Sequence, residues 1–360
     1  MELNESGLVL GLMSGTSLDG LDIAACRFKS GGSGKLDFEI VAASSIPYDN
    51  YWRSALEQAF YLNPKQLEEL SYSYAAFIAE QIKDFYKNHE ILPDLISSHG
   101  HTVHHRPSDK VSLQIGDGRT IREITGIPTV CNFRIQDVLK GGQGAPLVPI
   151  GDDLLFSAFD YCLNLGGFAN ISWKSEDRRL ACDIVPCNMV LNKLANRMNF
   201  PYDDRGNLAS GGIVQDQLLE EWNQLEYYHL PFPKSLGREW FLNSFEPILN
   251  KYQLDTKDLL RTATEHISDQ LANFIRKIET GTKAKILLTG GGTYNDYLIK
   301  RLSQKLPGHF DLVVPSEVII DFKEALIFAL LGYLRKLGMV NTLNSVTGAY
   351  EDHCSGEYFP

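Results

Sequence analysis

Hydrophobic and polar positions change period repeatedly along this chain, and the changes mark out its elements. Two apolar runs, 8–13 (LVLGLM) and 21–28 (LDIAACRF), flank the polar stretch Ser14-Gly15-Thr16-Ser17-Leu18-Asp19-Gly20. Short apolar runs bounded by turn residues predict a hairpin of two buried strands. A third strand over 35–46 follows the glycine-rich SGGSG at 30–34, and residues 65–90 predict a long helix after Pro64. Strands at 94–98, 111–115 and 127–133, with a helix at 117–126, complete a first series. A Gly/Pro-rich segment, GGQGAPLVPIG at 141–151, is the expected domain junction.

A second series repeats the pattern. Residues 160–174 (DYCLNLGGFANISWK) predict strand, glycine turn and strand, and 180–185 (LACDIV) a third strand. Helices at 188–199, 256–279, 294–306 and 323–338 alternate with strands at 285–289 and 311–314. Three strands followed by alternating helix and strand, twice over, predict a duplicated α/β architecture. The expected domains are 1–145 and 146–360, with the last helical segment packing back on the first. Glycine turns facing one another would form an interdomain cleft, the usual place for a ligand.

A length of 360 residues agrees with two domains. The net charge of −11 argues against a nucleic-acid partner but not against phosphorylated ligands, which backbone N–H groups can hold in an acidic protein. No apolar run reaches the roughly 20 residues needed to span a bilayer, and the acidic MELNESG is unlike a signal peptide. Six cysteines, none in a C-x-x-C pair and several within strand-like runs, suit a reducing cytoplasm.

Four stretches carry candidate chemistry. The opening turn reads either as a hairpin capped by its own side chains or as a phosphate seat. Gly15 and Gly20 permit close backbone approach, Thr16 and Ser17 can donate, and Asp19 or Asp22 can hold Mg²⁺. Four histidines, His99, His101, His104 and His105, follow a predicted strand. Their spacing is similar to the H-x-H-x-D-H loop of metallo-β-lactamase-like hydrolases, but Val103 stands at the aspartate position, so substrate binding at a strand end is favoured over zinc. Asp183, closing LACDIV, reads as a general base or as a helix-capping aspartate. Gly290-Gly291-Gly292, between strand and helix, lets a flat ring lie on backbone, and Glu324 reads as a complement to the dipole of an apolar helix.

Together the chain resembles the anhydro-N-acetylmuramic acid kinases nearly end to end. The likeness rests on MSGTSLDGLD (13–22), SSHGHTVHHRP (97–107), LQIGDGRTIREITGIPTVCNFRIQD (113–137), GGQGAPLVP (141–149), LNLGGFANIS (163–172), PKSLGRE (233–239), TGGGTYNDYL (289–298), EALIFALLGYL (324–334) and NSVTGA (344–349). The resemblance implies the two-domain actin, Hsp70 and hexokinase fold, which is ribonuclease H-like. It also implies a reaction of cell-wall recycling, in which ATP, Mg²⁺ and water open the 1,6-anhydro ring of anhydro-N-acetylmuramic acid and O6 receives the γ-phosphate.

By this likeness Gly15, Thr16, Ser17, Leu18, Asp19, Gly20, Leu21 and Asp22 cradle the ATP phosphates, with Asp19 nearest Mg²⁺. Gly166, Gly167 and Asn170 form the facing turn, and Gly290, Gly291 and Gly292 border the adenosine. Asp183 takes the proton from water, Glu324 helps to hold it, and Arg134, His101 and Thr102 bind sugar. A cytoplasmic homodimer is expected. The family reads D-T-G-P-G-N around its aspartate, where this chain has Asp183-Ile184-Val185-Pro186-Cys187-Asn188. Asn192 replaces an aspartate, and His101 a glutamine. These bulkier residues leave two alternatives, a kinase of a related anhydro-sugar and a non-catalytic nucleotide- or sugar-binding or regulatory homologue; the histidine run leaves a remote third, a zinc metallohydrolase.

Overall fold

The computed structural model describes residues 7–15, 18–30, 36–232, 234–279 and 281–360. The chain forms two compact units. One runs to Ser157 and resumes at Phe322; the other is Ala158–Asp321.

The first unit contains β1 (Val9–Ser14), β2 (Gly20–Ser30), β3 (Leu36–Pro47), β4 (Leu95–Ser98), β5 (His101–Arg106), β6 (Val111–Ile115) and β7 (Thr129–Cys131). The second contains β8 (Tyr161–Leu165), β9 (Phe168–Ser175), β10 (Arg178–Pro186), β11 (Ala284–Thr289) and β12 (Phe310–Val313). Then β13 (Glu357–Phe359) returns to the edge of the first sheet.

The sheet orders are β13-β7-β4-β1-β2-β3 and β10-β9-β8-β11-β12. In each unit three strands run as an antiparallel meander, and two further strands add in parallel beside the first. The duplication expected from the sequence pattern is therefore present as one repeated strand order.

The long helix expected at 65–90 is Pro64–Asn88. It starts where Asn63 and Gln66 cap one another's backbone N–H groups. In the second unit the helix Thr256–Lys277 lies in the core, where Trp222 stacks on Phe245 at 4.6 Å. Fully burying each such apolar side chain contributes about 1.5–3 kcal/mol.

Several elements differ from expectation. The helix Asn50–Gln58, capped by Asp49, lies between the predicted third strand and the predicted long helix, where no element was predicted. Residues 111–115 pair with β5 in a separate two-stranded sheet. The segment 141–151 lies within the first unit, so it is not the junction, and the expected boundary at 145/146 falls inside that unit. The buried Asp137 carboxylate holds this loop: it accepts from the Gly144 N–H at 2.6 Å and the Thr347 hydroxyl at 2.7 Å. Residues 149–155 are already helical.

The final apolar helix begins at Glu317 rather than near residue 323, which places Glu324 two turns inside it. Its position as a complement to the helix dipole is therefore corrected, because that effect is confined to the first turn. This helix lies so close to β1 that a Cβ on Gly11 would collide with the Ala325 carbonyl, and one on Gly332 with the Ser97 side chain. Ser97 also donates to the Phe328 carbonyl at 2.5 Å. Small residues thus fix where Glu324 sits.

Candidate active site

In the first unit the opening turn joins β1 to β2. Thr16 and Ser17 lie outside the described residues. Leu18 adopts φ +59°, and its N–H donates to the Gly15 carbonyl at 3.4 Å. Asp19 is exposed, and its carbonyl accepts from the Tyr48 N–H. Gly20 begins β2 where a Cβ would meet the Ile46 carbonyl oxygen at 2.5 Å. Leu21 is buried in the core, so only its backbone faces the turn. Asp22 sits in β2 opposite Met13 and Ser45.

Arg134, His99 and Glu324 share this region. Arg134 donates from Nε (3.0 Å) and Nη2 (2.9 Å) to His99 Nε2, and from Nη1 to the Gly144 carbonyl (2.7 Å). His99 Nδ1 lies 2.8 Å from the Gly100 carbonyl, which can only accept, so Nδ1 carries the hydrogen and Nε2 is the acceptor. Burial and the neighbouring guanidinium hold His99 well below the usual imidazole range. Burial also lowers Arg134 to about 10, against the pull of Glu324 and Asp137. Desolvation and the neighbouring Asp22 push Glu324 upward, with Arg134 and Lys323 opposing.

The other histidines have separate partners. His101 Nδ1 meets Ser14 Oγ at 3.2 Å, His104 packs on Phe60 at 5.1 Å, and His105 Nδ1 meets Ser112 Oγ at 3.1 Å. Thr102 Oγ1 accepts from Gln114 at 3.4 Å. Among the described residues no three His, Cys, Asp or Glu side chains gather as a metal site. With His99 Nε2 taken by a guanidinium, the histidine run does not form the zinc-binding loop.

In the second unit the predicted residues come together at one end of the sheet. The turn Gly166-Gly167 joins β8 to β9. Its two carbonyls accept N–H groups from Cys187, Asn188 and Met189 at 2.8–3.2 Å. Asn188 opens the helix Asn188–Asn196, and its Nδ2 donates to the Leu165 carbonyl at 2.9 Å. Gly290 (φ +80°) and Gly292 pack over the same Leu165. A Cβ on Gly290 would lie 2.5 Å from Asn164 Oδ1, and one on Gly292 2.8 Å from Leu165 Cβ. A Cβ on Gly167 would meet nothing within 4 Å, and one on Gly291 nothing nearer than 3.7 Å. Neither packing nor a positive φ accounts for these two glycines, and the open space beside them suits a ligand held by backbone.

Asp183 lies in β10 and caps no helix. One carboxylate oxygen accepts from the Leu236 N–H at 2.8 Å; the other has no hydrogen bond among the described residues. Its carbonyl accepts from Tyr227 at 2.7 Å. Burial raises the carboxyl to about 6, with the Leu236 N–H opposing. A bulge at Ile184 follows, shifting the register between Asp183 and Val185. The side chains of Ile184, Val185 and Cys187 are buried in the unit's core, so their bulk is taken up inward.

Strand register reveals two residues missed in the sequence. Thr289 opposes Asn164, Asn164 opposes Asn170, and Asn170 opposes Asp183, giving a polar row across four strands. Directly opposed residues share one face of a sheet. The sequence signal was a polar residue one or two positions before each glycine turn, in LNLGG and LLTGGG.

The family profile of anhydro-N-acetylmuramic acid kinases matches residues 7–360. The chain is 34% identical to the anhydro-N-acetylmuramic acid kinase of Crocosphaera subtropica, with 97% of each chain covered. It is 35% identical to that of a Cyanothece strain (97% of this chain, 98% of the relative) and 33% identical to that of Hydrogenovibrio crunogenus (98% and 97%).

Proposed function

We propose that this chain, which belongs to the anhydro-N-acetylmuramic acid kinase family, opens the 1,6-anhydro ring of anhydro-N-acetylmuramic acid with water and transfers the γ-phosphoryl group of ATP to O6. The observation that carries the reading is Asp183. It is half-buried, raised to about 6, held through one oxygen with no partner at the other among the described residues, at the end of a row that leads to the glycine turns. A carboxylate held through one oxygen keeps the other for a water proton, and a raised pKa makes it a stronger base near neutral pH.

In this reading Asp183 removes a proton from the water that attacks C1, and the freed O6 takes the phosphoryl group. ATP supplies that group, with Mg²⁺ neutralising phosphate charge when bound. Backbone at Gly166, Gly167 and the opening turn positions the phosphates, and the space beside Gly167 and Gly291 fits such a ligand. The exposed Asp19 is the residue assigned to Mg²⁺, directly or through water. Arg134 uses three of its five N–H groups on the protein and keeps two for sugar oxygens. Glu324, His101 and Thr102 complete the sugar-side groups.

Six free cysteines agree with a cytoplasmic enzyme, and no helix among the described residues is long and apolar enough to cross a membrane. A homodimer is carried by the family resemblance alone. Incubating the protein with ATP, Mg²⁺ and the anhydro-sugar should yield sugar 6-phosphate. Sugar binding by calorimetry without product would instead establish a binding homologue.

A further inference from the structure

A buried line of four polar side chains in the first unit has no part in the reaction described above. The Tyr74 and Tyr48 hydroxyls lie 2.5 Å apart, Tyr48 donates to Ser14 Oγ at 2.8 Å, and Ser14 Oγ lies 3.2 Å from His101 Nδ1. All four residues are buried. Burial raises both phenols above their ordinary range and lowers His101 to about 4, so each hydroxyl keeps its single proton and the imidazole is neutral.

Following each proton gives the chain a direction. Tyr48 uses its proton on Ser14, so the bond between the tyrosines is donated by Tyr74. Ser14 accepts from Tyr48, and its own proton goes to the acceptor within reach, His101 Nδ1. In that arrangement Nδ1 carries no hydrogen, and the hydrogen sits on Nε2. Nε2 has no partner among the described residues. His99, two residues earlier, holds the opposite tautomer: its Nδ1–H is used on Gly100, and its Nε2 accepts from Arg134. One histidine is consumed by the protein, while the Nε2 of the other has no partner among the described residues.

We propose that Tyr74, Tyr48 and Ser14 are positioning residues, forming a one-way hydroxyl chain that locks His101 as the Nε2–H tautomer and makes it a fixed hydrogen-bond donor to an oxygen of the bound sugar. The identity of the acceptor rests on the function proposed above; the tautomer does not.

The test uses the full chain labelled with ¹⁵N-histidine. Long-range ¹H–¹⁵N spectra should show His101 protonated at Nε2 in the native protein and as a mixture of tautomers in Tyr48→Phe and Ser14→Ala. Sugar KM should rise about tenfold in both, the scale of one hydrogen bond, with the KM for ATP unchanged. Ser14→Thr, which restores a hydroxyl, should recover both readouts. If Ser14→Ala does not fold, the nearly isosteric Tyr48→Phe carries the test. A native His101 protonated at Nδ1, or a Tyr48→Phe variant that keeps the Nε2–H tautomer, overturns the proposal. Should the protein prove inactive on the anhydro-sugar, the spectra still decide the chain. Should it be active with the wrong tautomer, only the chain is lost.

Discussion

The two units share one strand order and use it differently. In the first, polar groups near the opening turn are held by other side chains: Arg134 forks onto His99, and Tyr48 reaches Ser14. In the second, they are held by backbone: the glycine turn closes on three N–H groups, and Asp183 rests on the Leu236 N–H. Side-chain networks fix orientation and discriminate among substrates, but lose several bonds when one member is removed. Backbone cradles approach a charged ligand closely and tolerate side-chain change, provided the glycines remain. The same scaffold thus holds its polar groups by side chains in one unit and by backbone in the other.

The largest test of this division is Asp183→Asn. If Asp183 is the base, turnover should fall by about 10²–10⁴-fold, the usual contribution of acid–base catalysis, while ATP affinity measured by calorimetry stays within twofold. Turnover that survives would remove the second unit from the proton transfer.

Next is the pH profile. Asp183 must be ionised to act, so kcat should fall about tenfold per pH unit below about 6. Stability runs the other way. The folded carboxyl, raised to about 6 from its ordinary 3.8, binds its proton more tightly than the unfolded one. That contribution is complete below the unfolded value and is lost as pH rises through about 6. At pH 7 the buried charge opposes folding, so Asp183→Asn should melt at a higher temperature than the native protein there and at the same temperature at pH 4. Thermal unfolding at the two pH values checks this.

Arg134→Ala probes the first unit. It leaves His99 Nε2 and the Gly144 carbonyl without their donor, and a buried group stranded in this way costs about 1–3 kcal/mol. Denaturant unfolding should show that loss together with a rise in sugar KM. Unchanged stability would mean that the fork is not holding His99.

Much of this was legible in the sequence. The glycine turns and apolar runs located the hairpins and the duplicated order, because burial on one face writes its period directly into the chain. Glu324 was misplaced at a helix start because the polar residues Glu317, Asp321 and Lys323 interrupt the apolar pattern, although the helix runs through them. The junction at 141–151 was misread because glycine and proline mark any sharp change of direction. Here the cause is a loop held by Asp137, a long-range contact that local pattern does not encode. Asn164 and Thr289 escaped for the same reason, since only strand register sets them beside Asn170 and Asp183.

The finest test separates glycines that serve the fold from those that serve a ligand. A Cβ on Gly292 would lie 2.8 Å from Leu165 Cβ and 2.9 Å from its carbonyl, so Gly292→Ala should cost about 1–3 kcal/mol as the neighbours shift. Gly167→Ala would place its methyl in open space and should leave the melting temperature within a degree or two. Its effect should appear only with nucleotide, as weaker ATP binding. Such a variant, native in stability and impaired in ATP affinity, would show that Gly167 is kept small for something outside the chain. If ATP affinity is also unchanged, the Gly166-Gly167 turn is not the phosphate seat, and the backbone role assigned to the second unit falls with it.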